Sequence, residues 1–262
     1  MNELTKRALS GTLYVALLSA TMLLSPLSFF IVIGLFSVLA LWEFQRLIEW
    51  TSFGVPSVFL ALLTMAYMQA IPQEIIQILL IGSLLCNTWI TLVVLTQKKP
   101  DFTFGLKLSW TFFYLLASCL FIPLCLTLGT TSAPYLLLIF YAAIWTNNSF
   151  AYLFGSRFGK TKLFPALSPK KSWEGYFGGA LMTLAFLYII EQNMQLYGKY
   201  WWIVGLFIPL FATVGDLIQS YFKRRAKVKD SGSLLPGHGG FYDRMDSVIY
   251  TAPFYYLLLK LI

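Results

Sequence analysis

Between Ser220 and Ser247 the chain reads SYFKRRAKVKDSGSLLPGHGGFYDRMDS, set between two hydrophobic runs. Lys223, Arg224, Arg225, Lys227 and Lys229 form a cationic block. Gly237, Gly239 and Gly240 surround the only histidine, His238, and Asp243, Arg244 and Asp246 open the last apolar segment. Glycines let backbone N–H groups turn toward an anion, and carboxylates three residues apart on a nascent helix share one face. With cations alongside, this combination suits phosphate handled with a metal. A basic block alone would do no more than anchor a membrane helix at a surface of anionic headgroups. An anchor requires neither the DRMD that follows, nor the Asp216 that precedes, nor a glycine-flanked histidine between them.

Asp216 lies in FATVGDLIQSYF, seven residues before Lys223. Seven helical residues cover about two turns, roughly 10 Å, so this carboxylate falls inside an apolar span near its boundary. Ionisable groups in such places usually face a polar cavity, a partner charge or an ion. The helices bearing Asp216 and Asp246 enter from the same side. Close pairing of their ends would bring those two carboxylates together, with Asp243 at the rim, and carboxylate oxygens with water are what magnesium prefers. For Asp243 the competing role is capping of a positive helix N-terminus. A second polar stretch, SRFGKTKLFPALSPKKSWEG from Ser156 to Gly175, offers Lys160, Lys162, Lys170 and Lys171 as polyphosphate ligands. In it, Ser168-Pro169 and Ser172 provide a turn and hydroxyl donors before a helix starting near Trp173, and helix N-termini attract anions.

The first stretch resembles the signature of the phosphatidate cytidylyltransferase (CDP-diacylglycerol synthase) family. Its fixed positions are filled by Ser220, Phe222, Lys223, Arg224, Lys229, Asp230, Pro236, His238, Gly239, Gly240, Asp243, Arg244 and Asp246. So many fixed positions over this length are far more specific than a lone glycine-rich loop. SPKKSWEG likewise resembles a second block of that family, SPKKTWEG, with Ser172 keeping the hydroxyl. The resemblance covers about the C-terminal 120 residues, while the first five spans match only in general hydrophobicity. There is one departure. Where the family commonly has an aspartate opening DTGAY or DSGAY, this chain has Asn148-Ser149-Phe150-Ala151-Tyr152. An asparagine can still hydrogen-bond, but it lacks the charge that would attract a metal or pair a lysine. Asn147 and Asn148 are left a nucleotide-binding or positioning role, or the chain is an inactive relative that retains binding.

The resemblance implies that CTP and phosphatidate give CDP-diacylglycerol and pyrophosphate, with Mg2+ required. On that basis Asp216 and Asp246 go to the metal, and Asp243 to the metal or to orienting Arg244. Lys170, Lys171, Lys223 and Arg224 go to phosphates. His238 would hydrogen-bond a phosphate, protonate the departing pyrophosphate, or bond its own loop backbone. Lys160, Ser168, Ser172, Asn148, Ser220, Lys229, Gly239, Gly240 and Arg244 complete the expected substrate contacts. Two other activities fit parts of the pattern. One is cytidylyl transfer to another membrane lipid phosphate; the other is ion-coupled transport, which an intramembrane aspartate and basic loops also suit. Against transport, the polar residues cluster at one membrane face and no repeated pair of broken helices is evident.

The elements that must position these groups follow from composition. The chain has 262 residues, 58% hydrophobic, 18% aromatic and only 11% charged, with a mean hydropathy of +0.72. A soluble domain of this length could not hide so much apolar surface, whereas a bilayer accepts about 20 apolar residues per helical span. The expected fold is all-α, a polytopic membrane protein of about nine helices. Its spans are placed near Ala8–Leu24, Leu27–Leu47, Phe53–Ala70, Glu74–Thr96, Phe104–Leu128 with a kink at Pro123, Ala133–Phe154, Trp173–Ile190, Trp201–Phe222 and Asp243–Ile262. Residues 1–130 would form a scaffold, and 131–262 a catalytic region with cytoplasmic loops 155–173 and 223–242.

The net charge of +8 does not point to nucleic acid, because the basic residues lie in short loops beside apolar runs. Membrane lipid headgroups and a nucleotide polyphosphate explain them better. If nine spans alternate, nearly all basic loops fall on one face, which the positive-inside rule makes cytoplasmic along with the N-terminus. Cys86, Cys119 and Cys125 lie in apolar runs without metal-ligand spacing and read as small buried hydrophobes. A short chain without a targeting extension fits a bacterial inner membrane, and a homodimer is compatible with the sequence.

Overall fold

The computed structural model describes residues 3–128, 132–234 and 239–262, with side chains from residue 11 onward. The expectations for Pro236, Gly237 and His238 lie outside the described residues. Helices α1 (Glu3–Leu24) and α2 (Pro26–Leu47) form a hairpin. It turns on Ser25, whose Oγ accepts from Ser28 N at 3.1 Å, while Pro26 takes the first helical position, where no N–H is needed. Helices α3 (Gly54–Tyr67) and α4 (Gln73–Leu95) follow.

The fifth apolar run is not one regular helix. It starts as α5 (Phe104–Ser109), widens into a π-helix over Trp110–Ala117, and continues as α6 (Ser118–Leu124) and a 3-10 turn over Cys125–Thr127. The departure from α geometry thus begins upstream of Pro123. The wider turn exposes the Phe113 carbonyl, which accepts from Ser83 Oγ on α4 at 2.6 Å. Helix α7 (Ala133–Phe158) leads into a two-stranded hairpin, β1 (Lys162–Phe164) and β2 (Ser168–Ser172), with Lys162 opposite Ser172 and Phe164 opposite Ser168. Helices α8 (Trp173–Met194), α9 (Trp201–Arg225) and α10 (Tyr242–Leu261) complete the chain.

The described residues are all-α apart from that hairpin, and each apolar run expected to span contains helix. Among the described residues, six helical segments are both long and apolar enough to cross a membrane: 26–47, 73–95, 104–127, 133–158, 173–194 and 198–225. Helix α3 has only 14 residues, about 21 Å at 1.5 Å per residue, short of a full hydrocarbon core. The outward faces are greasy. Ile78, Ile81 and Leu85 on α4, and Phe177, Leu181 and Tyr188 on α8, are exposed at helical spacing, which is the surface that lipid rather than water would cover. All three cysteines are buried and unpaired.

Two packing features set the site. On α7 and α8, Ala151 and Gly155 face Gly175 and Gly179. A Cβ added at Gly175 would lie 3.0 Å from Gly155 Cα, and one at Gly179 would lie 2.7 Å from the Asn147 carbonyl. Small residues four apart on each helix allow this backbone approach where lipid supplies no hydrophobic drive. The second feature is an aromatic cluster. Phe44 of α2 packs on Tyr114, Phe222 and Tyr242 at ring separations of 5.5, 5.0 and 5.5 Å. The Tyr114 and Tyr242 hydroxyls lie 2.7 Å apart, and Trp110 closes on Phe222 at 5.1 Å. Phe222 precedes Lys223 and Tyr242 precedes Asp243, so contacts across residue 130 hold the chemistry-bearing ends of α9 and α10.

Candidate functional site

Helices α9 and α10 pack backbone to backbone where the two intramembrane carboxylates sit. A Cβ at Gly215 would be 2.8 Å from the Asp246 carbonyl and 3.1 Å from Ser247 Cα. Asp216 and Asp246 are thereby electrostatic neighbours, and Lys171 and Lys223 are the cations acting on Asp246. Lys171 Nζ reaches Asp216 Oδ2 at 2.5 Å, with both side chains partly accessible at 25% and 33% exposure. Ser220, one turn along α9, donates from Oγ to Asp216 Oδ1 at 3.4 Å.

Lys171 arrives there because of the hairpin. It is the penultimate residue of β2, and Ser172 ends the strand and caps α8, its Oγ accepting from Gly175 N at 3.2 Å. Glu174 in the first turn of α8 accepts from Thr161 N at 3.0 Å, and Trp173 N donates to the Thr161 carbonyl at 2.9 Å. The polar loop is thus a clamped arm that carries one lysine inward. Lys160 and Lys170 stay exposed at its rim, and Ser168 is half-buried in β2.

Ser247 joins three helices. Its Oγ donates to the Ala212 carbonyl on α9 at 3.1 Å and accepts from Asn148 Nδ2 on α7 at 3.4 Å. Its backbone N–H donates to Asp246 Oδ1 at 2.6 Å. Asn148, the residue that replaces the expected aspartate, therefore sits beside the carboxylate pair. Its Oδ1 accepts from Asn147 Nδ2 at 3.2 Å.

Asp243 is differently employed. Its Oδ1 receives Lys223 Nζ at 2.7 Å, and its Oδ2 accepts from Ser231 N, Ser231 Oγ and Gly240 N at 2.7, 2.9 and 3.0 Å. These contacts hold Ser231 and Gly240 against the start of α10. Gly239 has φ +82°, and a Cβ there would lie 2.6 Å from Asp243 Oδ2, so only glycine fits. Lys223 and Asp243 are 15% and 5% exposed, a nearly dry pair in which removing one partner strands the other charge. A double-mutant cycle with Lys223→Met and Asp243→Asn, read by thermal unfolding in detergent, should give a coupling of about 2 kcal/mol. Additive losses would show the pair is not formed.

Arg224 and Arg225 do not join this pair. Arg224 turns away from Lys223 and, with Lys99, Leu167, Tyr221, Arg225 and Lys227, lines a separate cleft of about 360 Å³. Arg225 donates to the Pro100 carbonyl at 2.8 Å and stacks over Phe102 at 4.1 Å. Lys229 is exposed, and Arg244 is exposed on the first turn of α10. A further carboxylate reaches this loop that the sequence reading passes over. Glu43 of α2 is buried and accepts hydrogen bonds from the start of α10. The signal was present, a lone carboxylate within the apolar run LALWEFQRL.

In chemical terms the site offers two carboxylates on facing helices, two lysines within their field, and Gly239 and Gly240 packed against Asp243 beside them. Hard oxygen donors flanked by ammonium groups suit a polyanion brought in with a divalent cation.

The model of the cytidylyltransferase family matches residues 5–262. Phosphatidate cytidylyltransferase of Bacillus subtilis is 32% identical over 277 residues, covering 100% of this chain and 99% of that protein. The protein of the same name from Haemophilus influenzae is 36% identical over 282 residues, covering 96% and 97%. The one from Staphylococcus aureus is 43% identical over 125 residues, covering 45% and 46%. With relatives aligned along its whole length and its polar residues gathered at one end of a helical bundle, this chain belongs to the cytidylyltransferase family.

Proposed function

We propose that this protein transfers CMP from CTP to phosphatidate, giving CDP-diacylglycerol and pyrophosphate. The observation that carries the reading is the meeting of Asp216, Asp246 and Lys171 at one end of the helices, in a chain aligned end to end with phosphatidate cytidylyltransferases. In this reaction a phosphatidate phosphate oxygen forms a bond to the α-phosphorus of CTP, and the bond to the bridging α–β oxygen breaks, its electrons leaving with pyrophosphate. The attacking phosphate is already anionic near neutral pH, so the obstacle is charge repulsion rather than proton removal. Lys171 lowers that repulsion by holding a phosphate, Lys223 adds its positive field from its pair with Asp243, and the clamped hairpin keeps Lys171 from swinging away. The exposed Lys170 and Lys160 extend the positive rim along which a triphosphate can lie.

The donor set fits magnesium. Among the described residues no group of three or more carboxylate, histidine or cysteine side chains could hold a metal. Asp216 and Asp246 would therefore supply two ligands, with phosphates and water completing the shell, the usual manner for this ion. Bound there, magnesium would neutralise phosphate charge and orient the triphosphate. Asp243, with its contacts to Lys223, Ser231 and Gly240, serves to shape the loop.

The same arrangement supports a cytoplasmic orientation in a bacterial inner membrane. Arg225 and Tyr221 hold the Pro100 and Lys98 carbonyls, so the basic loop at 98–102 and the end of α9 share one face. Lys199 and Lys260 instead lie over Tyr200 and Tyr256 near the beginning of α9 and the end of α10. This is the lysine and arginine asymmetry of the positive-inside rule. The test is pyrophosphate release from CTP by the purified protein in detergent with Mg2+, with and without phosphatidate. Release that needs both phosphatidate and the metal is expected. A folded protein that releases none with phosphatidate, but does so with another lipid phosphate, would change the acceptor.

A further inference from the structure

Glu43 belongs to no recognised motif, lies near the C-terminal end of α2 in the N-terminal half of the chain, and is only 3% exposed. Its Oε1 accepts from Phe241 N at 3.1 Å, and its Oε2 accepts from Tyr242 N at 2.9 Å and from Ser231 Oγ at 2.8 Å. Those two backbone N–H groups begin α10 and have no partner within the helix. Phe241, at the capping position, makes no side-chain cap of its own. A carboxylate at the positive end of a helix is favoured by the dipole as well as by the hydrogen bonds. Here that carboxylate comes from about 200 residues earlier in the chain.

The approach is close on both sides. A Cβ at Gly232 would lie 2.5 Å from Glu43 Oε1, and at Gly240 a Cβ would fall onto the carboxylate itself. The two ends of the glycine segment thus close over Glu43 as over a peg. Ser231 Oγ lies 2.8 Å from Glu43 Oε2 and 2.9 Å from Asp243 Oδ2, so its one hydrogen is shared between the carboxylates of α2 and α10 and Ser231 sits between them. Asp246 is one helical turn beyond Tyr242 on the same helix.

We infer that Glu43 is a positioning residue for the reaction, a clasp that holds Ser231, Gly232, Gly240 and Phe241 against the first turn of α10 and so fixes where Asp246 meets substrate. The catalytic half of this inference rests on the activity proposed above; the clasp itself does not. Replacing Glu43 by Gln leaves one carbonyl oxygen where two oxygens served three donors, and it turns an N–H₂ toward further N–H groups. Losing charged hydrogen bonds of this kind makes local opening about ten- to hundred-fold more frequent.

The experiment uses the full chain in detergent and follows tryptic cleavage after Lys227 and Lys229, together with kcat and KM for CTP and the unfolding temperature. For Glu43→Gln, cleavage at those two sites should rise about tenfold or more, since cleavage of an opened segment tracks its open population. The value of kcat should fall by a similar factor, with KM changed less than about threefold and unfolding within a few degrees of wild type. Gly240→Ala, which puts a methyl where the carboxylate lies, should reproduce the phenotype, and the double variant should lose little more than either alone. Wild-type cleavage and kcat in Glu43→Gln would overturn the proposal. So would cleavage that rises equally after Lys98, Lys99 and Lys170 with a large drop in unfolding temperature, which marks general loosening. If the wild type itself transfers no CMP, the proposed function fails, and the protease arm still decides the clasp.

Discussion

Asp246→Asn should lower kcat by about a thousand-fold or more, equivalent to about 4 kcal/mol of transition-state stabilisation, while the protein folds normally. The change keeps the shape of the side chain. An asparagine carbonyl can still accept from Ser247 N, now at 2.6 Å from Asp246 Oδ1, so what is lost is charge within the field of Asp216, Lys171 and Lys223. If that charge holds the cation that gathers phosphates, the effect falls on the chemical step. Asp243→Asn is the informative contrast. Its carboxylate is committed to Lys223, Ser231 and Gly240, so its loss should loosen the loop, cost less in kcat and lower the unfolding temperature. A steady-state comparison with unfolding curves separates the two. Asp246→Asn with more than a tenth of wild-type kcat would reverse the roles assigned here.

The second large effect is expected from Gly215→Leu. Even a methyl at this position would stand 2.8 Å from the Asp246 carbonyl and 2.9 Å from Tyr250 Cβ. The contact is largely with backbone, which cannot rotate aside as a side-chain tip can. A leucine must push α9 and α10 apart at the level of Asp216 and Asp246, at a cost of about 3 kcal/mol or more. Activity should be lost entirely, with a large fall in unfolding temperature, whereas Gly215→Ala, which must shift the same backbone by only a few tenths of an ångström, should show a smaller fall in both. A leucine variant that works like wild type would mean the two helices are not in contact there.

Much of this was legible in the sequence because membrane spans are written as apolar runs. The run expected at Glu74–Thr96 is helical over Gln73–Leu95, and that expected at Leu27–Leu47 over Pro26–Leu47. The neighbourhood of Asp216 and Asp246 was likewise foreseeable, since both carboxylates lie near ends of successive helices. Other features have no one-dimensional signature. SPKKS carries no alternating apolar pattern, yet it forms β2 because Thr161 and Glu174 fasten the arm. The π-helix at Trp110–Ala117 is a matter of one displaced carbonyl ladder in an otherwise ordinary apolar run. Asp243 looked like Asp246 by type and spacing, and only its four partners distinguish it. Glu43 could have been found by the reasoning applied to Asp216, since a single carboxylate in an apolar span needs a partner.

The hydrogen bond between Glu43 and Tyr242 joins residues 199 apart in sequence. A ribosome adds about 5–20 residues per second, so α2 waits roughly 10–40 s after its own synthesis before the backbone groups that satisfy Glu43 exist. During that interval a carboxylate in an apolar helix must be tolerated by the insertion machinery, by water at the membrane surface or by protonation. The site cannot close until the last helix has been made, so a nascent chain with its basic rim already displayed stays inert. Truncation anywhere before α10 should leave an inactive product, however many helices it has already placed in the membrane.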